Sequence, residues 1–319
     1  MDVLFVLGGL VGLVIGGEFV VRGAVAIARS FRVSPMVIGL TLVGFGTSLP
    51  ELVTSVQAAI AGSPGIAVGN VVGSNIANIL LILGAAALLA PIRVLPAAFR
   101  RDGSVLVAAT LICLGFILWG SLGVWAGVIF LACLAGYLGT TFYWESRHHS
   151  PAANVYEHEA ETLPAMPPGR LFSFGILIAG LAVTVVGARF LVEGAIGLAQ
   201  GFGVSETLIG VTIVAIGTSL PELVTSVIAA RKGESDVALG NIIGSNIFNI
   251  FGILGVTAAI HPLDVPPEIA GFDIWVMVAA TAVLLITAVS GWLLTRSEGG
   301  AMVAAYLTYL AYLGFSAGA

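Results

Sequence analysis

The sequence predicts an all-α membrane protein with ten transmembrane helices in two inverted five-helix repeats. Three observations predict it. The 319-residue chain is 58% hydrophobic and only 9% charged, whereas a soluble domain carries about a quarter charged residues. Apolar stretches longer than the roughly 18 residues that read as a membrane span recur along it. One long string is also written twice: Gly46-Thr47-Ser48-Leu49-Pro50-Glu51-Leu52-Val53-Thr54-Ser55-Val56 returns 171 residues later, without a gap, as Gly217 to Val227.

The spans run, in order, over 3–28, 36–60, 66–90, 103–120, 123–143, 171–199, 205–230, 236–260, 270–294 and 300–317. The first lacks a basic leader region and reads as a span, not a cleaved signal. Short turns of Gly, Pro or charged residues separate most spans. Residues 145–170 form the only long polar stretch, rich in Pro, His and Glu. It reads as a linker, so the expected organisation is a first repeat over 1–144, a linker over 145–170 and a second repeat over 171–319. Its residues His148, His149, His158, Glu157, Glu159 and Glu161 read as a solvated surface.

Orientation follows from the twelve Lys and Arg residues. All but Arg22 and Arg189, which lie within spans, fall in alternate connections: 1–2, 3–4, 5–6, 7–8 and 9–10. By the positive-inside rule these connections are cytoplasmic and both termini face outward. Five spans per half is an odd number, so the second copy is upside down relative to the first. Residues 39–84 and 210–255 agree at most positions, and Asp102 to Thr110 is echoed by Asp273 to Thr281. Inverted repeats with a midplane site are an architecture of secondary transporters.

Each copy of the doubled string puts a Glu directly after a Pro inside an apolar run. A carboxylate there is costly and marks a functional site. Pro50 and Pro221 lack an N–H and are expected to kink their helices, freeing carbonyls that a cation can satisfy. Thr47 and Glu51 share a helix face, extended by Thr54 and Ser55; Thr218, Glu222, Thr225 and Ser226 match them. The next span in each half carries Gly69-Asn70-Val71-Val72-Gly73-Ser74-Asn75-Ile76-Ala77-Asn78, repeated as Gly240 to Asn249. Asn70, Ser74 and Asn78 form one polar stripe, and Asn241, Ser245 and Asn249 its counterpart. Asn75 and Asn246 lie off the stripe and read as packing amides. The donor set is all hard oxygen, without Cys or His, which excludes zinc and copper chemistry and suits Ca²⁺ or Na⁺. Two ionised Glu balance one Ca²⁺, two Na⁺ or two protons.

These paired segments resemble the two alpha-repeats of the sodium/calcium exchanger family, within the cation/Ca²⁺ antiporter superfamily. The resemblance implies one Ca²⁺ site, flanking Na⁺ sites and a middle site. It implies Glu51 and Glu222 as shared acidic ligands, with backbone oxygens of Thr47 and Thr218 beside Ca²⁺. Ser48 with Ser74, and Ser219 with Ser245, would serve the outer Na⁺ sites, completed by backbone oxygens of Gly44 and Ala215. Asn78 and Asn249 would line the middle. Several family members, notably the K⁺-dependent branch, carry Asp where this chain has Asn249, which weakens the case for K⁺ co-transport.

The expected activity is therefore exchange of Ca²⁺ for Na⁺ across the cell membrane by alternating access. A Ca²⁺/H⁺ antiporter using the same Glu pair is the alternative, and a Ca²⁺ channel a more distant one. No cofactor, nucleic-acid partner or enzymatic nucleophile–base pair is expected, and the partners are the ions and the lipid bilayer. The sequence sets no oligomeric state. Cys113 and Cys133 read as free buried thiols. Glu18–Arg22 and Arg189–Glu193 are each spaced i, i+4 and read as intrahelical pairs; pairing across the two spans, Glu18 with Arg189, is the alternative.

Overall fold

The computed structural model describes residues 1–30, 45–148, 170–233 and 235–317, and it is helical with two short ladders. The helices are α1 (Asp2–Ser30), α2 (Leu49–Ile60), α3 (Pro64–Leu89), α4 (Pro96–Trp119), α5 (Val124–His148), α6 (Arg170–Phe202), α7 (Glu206–Thr218), α8 (Leu220–Lys232), α9 (Ser235–Ile260), α10 (Ile269–Val289) and α11 (Arg296–Ala317). Among the described residues seven helices are long and apolar enough to cross a membrane, and the bent pair α7–α8 makes an eighth if it is one span. Of the two remaining expected spans, the first part of 36–60 lies outside the described residues. The last is α11, 22 residues long but carrying three tyrosines, Tyr306, Tyr309 and Tyr312.

Helix ends differ from the sequence reading where polar residues are helical. α4 starts at Pro96, not 103, so Arg100, Arg101 and Asp102 lie within its first turns. Hydropathy marks where apolar side chains begin, whereas Pro suits the first helical turn. α5 likewise continues to His148 and α6 starts at Arg170, so both ends of the expected linker are helical. Residues 149–169 lie outside the described residues.

α1 and α6 run antiparallel over most of their length. Gly9, Gly16 and Gly23 of α1 recur every seven residues, as do Gly180, Gly187 and Gly194 of α6. A Cβ added at Gly187 would lie 2.8 Å from the Leu13 backbone nitrogen, and one at Gly9 would lie 2.7 Å from the Gly187 carbonyl oxygen. Small residues at this spacing let two backbones touch, the usual source of helix association in lipid. Glu18–Arg22 and Arg189–Glu193 are both intrahelical ion pairs, so cross-pairing between the two helices does not occur.

The polar core sits among α2, α3, α7, α8 and α9. α3 and α9 are the most buried of the apolar helices. Gly69 and Gly73 bring the α3 backbone against Val211 of α7. Both helices leave α-geometry at one place: Ala77–Leu83 and Asn249–Leu254 are wound as π-helix. These wider turns start at or next to the last Asn of each motif, and π-turns inside α-helices commonly mark functional sites.

Ladder β1 (Ile92–Arg93) pairs antiparallel with β4 (Leu293–Leu294), and β2 (Ser121–Leu122) pairs antiparallel with β3 (Leu263–Asp264). α4 separates β1 from β2, and α10 separates β3 from β4, so the two ladders lie at opposite ends of these helices. Arg93 lies in the first ladder and Arg296 follows it directly; Arg100 stacks over Trp292 at 5.5 Å there. The β2–β3 ladder contains no Lys or Arg. Thr110 and Thr281, equivalent in the two copies, meet at 3.4 Å between α4 and α10. Cys113 is buried and Cys133 half-buried, and both are free.

Candidate cation site

Each acidic string folds as a break followed by a new helix. α2 follows Ser48 with Pro50 in its first turn, and α8 follows Ser219 with Pro221 in its first turn. Proline costs nothing there because the first N–H groups have no partner in the helix. The bend falls within the four residues before Pro221, where the proline's clash with the Gly217 carbonyl places it. It lies just upstream, at Ser219, where α7 and α8 meet at 47°. Glu51 and Glu222 fall in the first turns of α2 and α8, where unpaired N–H groups favour negative charge.

Neither Ser48 nor Ser219 caps its own helix. Their hydroxyls cross instead to the other copy. Ser48 Oγ donates to Glu222 Oε1 at 2.8 Å, and Ser219 Oγ donates to Glu51 Oε1 at 2.9 Å. The two acidic strings thus close into one reciprocal cluster. Ser245 Oγ also donates to Glu222 Oε1, at 3.4 Å, and Ser74 Oγ reaches the Ala215 carbonyl at 3.5 Å. The structure therefore groups Ser48 with Ser245 about Glu222, and it brings Ser74 to the Ala215 side. The sequence reading had grouped Ser48 with Ser74 and Ser219 with Ser245. Those pairs lie within one half, whereas docking of the halves decides the contacts.

The asparagines hold this cluster from behind. Asn70 Nδ2 donates to Ser55 Oγ at 2.9 Å and to the Glu51 carbonyl at 3.2 Å; Asn241 Nδ2 does the same to Ser226 Oγ at 3.0 Å and the Glu222 carbonyl at 3.5 Å. Thr218 Oγ1 donates to Asn70 Oδ1 at 3.1 Å. Asn78 Nδ2 donates to Asn246 Oδ1 at 3.0 Å, joining α3 to α9.

Burial makes the site unusual. Glu51, Glu222, Ser48, Ser74, Asn78, Ser245, Asn246 and Asn249 are all 0% exposed. No described ion pair includes either Glu; the described pairs lie at Glu18, Asp102 and Glu193. Buried carboxylates without a counter-charge are strongly unfavourable. Glu51 Oε2, Glu222 Oε2, Thr47 Oγ1, Thr54 Oγ1, Asn75 Oδ1, Asn78 Oδ1 and Asn249 Oδ1 are also buried without a hydrogen-bond partner. Unpartnered buried polar atoms are rare in folded proteins and call for an explanation. Here almost all are oxygens, the donor type that Na⁺ and Ca²⁺ require.

The described residues thus bring together Glu51, Glu222, Ser48, Ser219, Ser74, Ser245, Thr218 and Ala215 through hydrogen bonds. Asn78 joins through Asn246, and Asn249 begins the matching π-turn of α9. Thr47 immediately precedes Ser48. Gly44 lies outside the described residues. Asn246, expected as a packing amide, does bond across helices, and its partner is Asn78.

The family profile for "Sodium/calcium exchanger protein" matches residues 1–143 and 172–315, which together make up most of the chain. The chain belongs to the sodium/calcium exchanger family. It is 44% identical to the putative antiporter CaxA of Alkalimonas amylolytica, covering 98% of both chains. It is 36% identical to the sodium/calcium exchanger MaX1 of Methanosarcina acetivorans, again over 98% of both. A solved structure of the sodium-calcium exchanger NCX_Mj, soaked with 2.5 mM Na⁺ and 0.1 mM Ca²⁺, matches at TM-score 0.65 and 34% identity, covering 97% of each chain. These relatives are transporters, not enzymes. With its apolar helices, family membership makes the chain an integral, multi-pass membrane protein and a cation/Ca²⁺ antiporter.

Proposed function

We propose that the chain exchanges Ca²⁺ for Na⁺ by alternating access, with Glu51 and Glu222 as the charge for which the two cations compete. One observation carries this reading: two fully buried carboxylates, free of any described basic partner and surrounded by unpartnered oxygens. One Ca²⁺ or two Na⁺ neutralise the pair equally, so either occupant removes the same electrostatic cost. Occupancy by one then excludes the other, and that exclusion couples opposite fluxes. Ser48, Ser219, Ser74, Ser245, Thr47, Thr218, Asn78 and Asn249 are the proposed further ligands. Backbone oxygens of Gly44 and Ala215 complete the set. The Ala215 carbonyl already receives long contacts from Ser74 and Thr218, at 3.5 and 3.4 Å, which a cation readily displaces. MaX1 and NCX_Mj, both called sodium/calcium exchangers, support the choice of ions.

The proposed architecture is ten spans in two inverted halves, 1–144 and 171–319, joined by a cytoplasmic segment over 145–170. The ladders support it. β1 and β3 are equivalent in the repeat, yet they belong to ladders at opposite ends of α4 and α10. Basic residues gather at the β1–β4 end, which supports a cytoplasmic face there and termini on the outer side of the cell membrane. α1 and α6, zipped through their glycines, would move as one body against the site.

The test is Ca²⁺ uptake into proteoliposomes driven in turn by a Na⁺ gradient and a pH gradient. Uptake driven by the Na⁺ gradient is expected. Uptake driven only by the pH gradient would replace Na⁺ with H⁺ as counter-ion, and uptake independent of both gradients would indicate a channel.

A further inference from the structure

Asn246 follows the stripe serine Ser245 and projects off the Asn241–Ser245–Asn249 face, where an interhelical packing role is the ordinary expectation. It does bond between helices, and the residue it holds is one of the proposed ligands. It is fully buried, its Oδ1 accepts from Asn78 Nδ2 at 3.0 Å, and its own Nδ2 donates to nothing. Asn78 Oδ1 is equally buried and has no partner. A carboxamide is planar, with its oxygen and nitrogen on opposite sides of one carbon. Tying down the nitrogen therefore fixes where the oxygen points. With the opposite rotamer, Asn78 would turn an N–H₂ group, a donor that repels cations, to the place its oxygen now occupies.

The equivalent contact in the other half is not made. Asn75, the counterpart of Asn246, spends its Nδ2 on the Val71 carbonyl of its own helix at 2.8 Å. Asn249, the counterpart of Asn78, has neither amide atom bonded. Among the described residues one middle asparagine is held and the other is not, although their surrounding sequences match.

We propose that Asn246 is a positioning residue: by accepting from Asn78 Nδ2, it presents Asn78 Oδ1 to the cation as a fixed carbonyl ligand. This rests on the reading of Asn78 as a ligand in the proposed site. Removing the acceptor lets the Asn78 amide rotate, so part of the population offers a donor where an acceptor is needed. Cation affinity falls without loss of any direct ligand.

The test measures Ca²⁺ binding to the purified full chain, together with its melting temperature without added cation. Asn246→Leu is expected to weaken Ca²⁺ binding about tenfold, the usual scale for losing one buried hydrogen bond, and to lower the cation-free melting temperature because Asn78 Nδ2 is stranded. Asn246→Asp keeps an acceptor and adds a charge that a bound cation offsets, so it is expected to bind Ca²⁺ more tightly than Asn246→Leu. In a double-mutant cycle, Asn78→Ala with Asn246→Leu should bind no more weakly than Asn78→Ala alone. Unchanged binding in Asn246→Leu, equal losses in the Leu and Asp variants, or additive losses in the double variant would each overturn the proposal. If Asn246→Leu does not fold, Asn246→Ala takes its place. Failure of both to fold assigns the bond to structure and overturns the positioning role. Full Ca²⁺ affinity in Asn78→Ala would instead refute the proposed site, a different failure from that of Asn246.

Discussion

The half-site around Glu51 and the half-site around Glu222 are nearly identical in sequence and unequal in setting. Asn70 is fully buried and makes three hydrogen bonds, to Ser55, the Glu51 carbonyl and Thr218. Asn241 is half-buried and makes two, the longer at 3.5 Å. Gly69 packs against the α7 backbone; the equivalent of α7 for its counterpart Gly240 falls at 35–47, mostly outside the described residues. Asn78 is held by Asn246, while Asn249 is held by nothing described. The crossed Ser–Glu bonds, by contrast, are matched to within 0.1 Å. Among the described residues symmetry survives in the crossed Ser–Glu bonds and is lost in the contacts around them, where Ser245 reaches Glu222 while its counterpart Ser74 reaches the Ala215 carbonyl. A carrier with one central site opens one exit at a time, so its open states are asymmetric at the two exits. On the proposed reading, exchanging the settings of the two halves converts one access state into the other.

The comparison can be broken first at its symmetric centre. Glu51→Gln and Glu222→Gln should each lower Ca²⁺ transport at least about 100-fold, since losing one charge from a desolvated cluster costs about 3 kcal/mol or more. Flux assays in proteoliposomes, with insertion checked by yield and monodispersity, read this out. A mutant that transports normally would remove that Glu from the site. Unequal losses would mean that the asymmetry reaches the carboxylates themselves.

A smaller effect sharpens the asymmetric part. Asn70→Ala should destabilise the protein more than Asn241→Ala, by about 1–2 kcal/mol, because it strands more buried hydrogen-bonding groups. Melting curves of the two variants in one detergent give the comparison directly. Equal shifts would mean that the two half-sites are equally enclosed in solution.

The doubled strings were legible because each is a short local pattern, and the cost of a buried Glu marks function without any knowledge of packing. The membrane class was legible for the same reason: it depends on apolar run length alone. Less of the geometry was legible. Which serine meets which glutamate depends on how the halves dock, so Ser48 found Glu222 and not its neighbour Ser74. The π-turns at Ala77–Leu83 and Asn249–Leu254 leave no trace in residue type, since α and π windings accept the same apolar residues. The start of α4 at Pro96 was missed because hydropathy sees the membrane and not the helix.

The central claim is that one pair of carboxylates serves two kinds of cation in turn. Equilibrium binding of radioactive Ca²⁺ to the purified protein, titrated with Na⁺ at constant pH and ionic strength, tests it most directly. The account predicts that Na⁺ displaces Ca²⁺ completely and with a sigmoidal dependence, as expected when two Na⁺ replace one Ca²⁺. Bound Ca²⁺ that persists at saturating Na⁺ would contradict it.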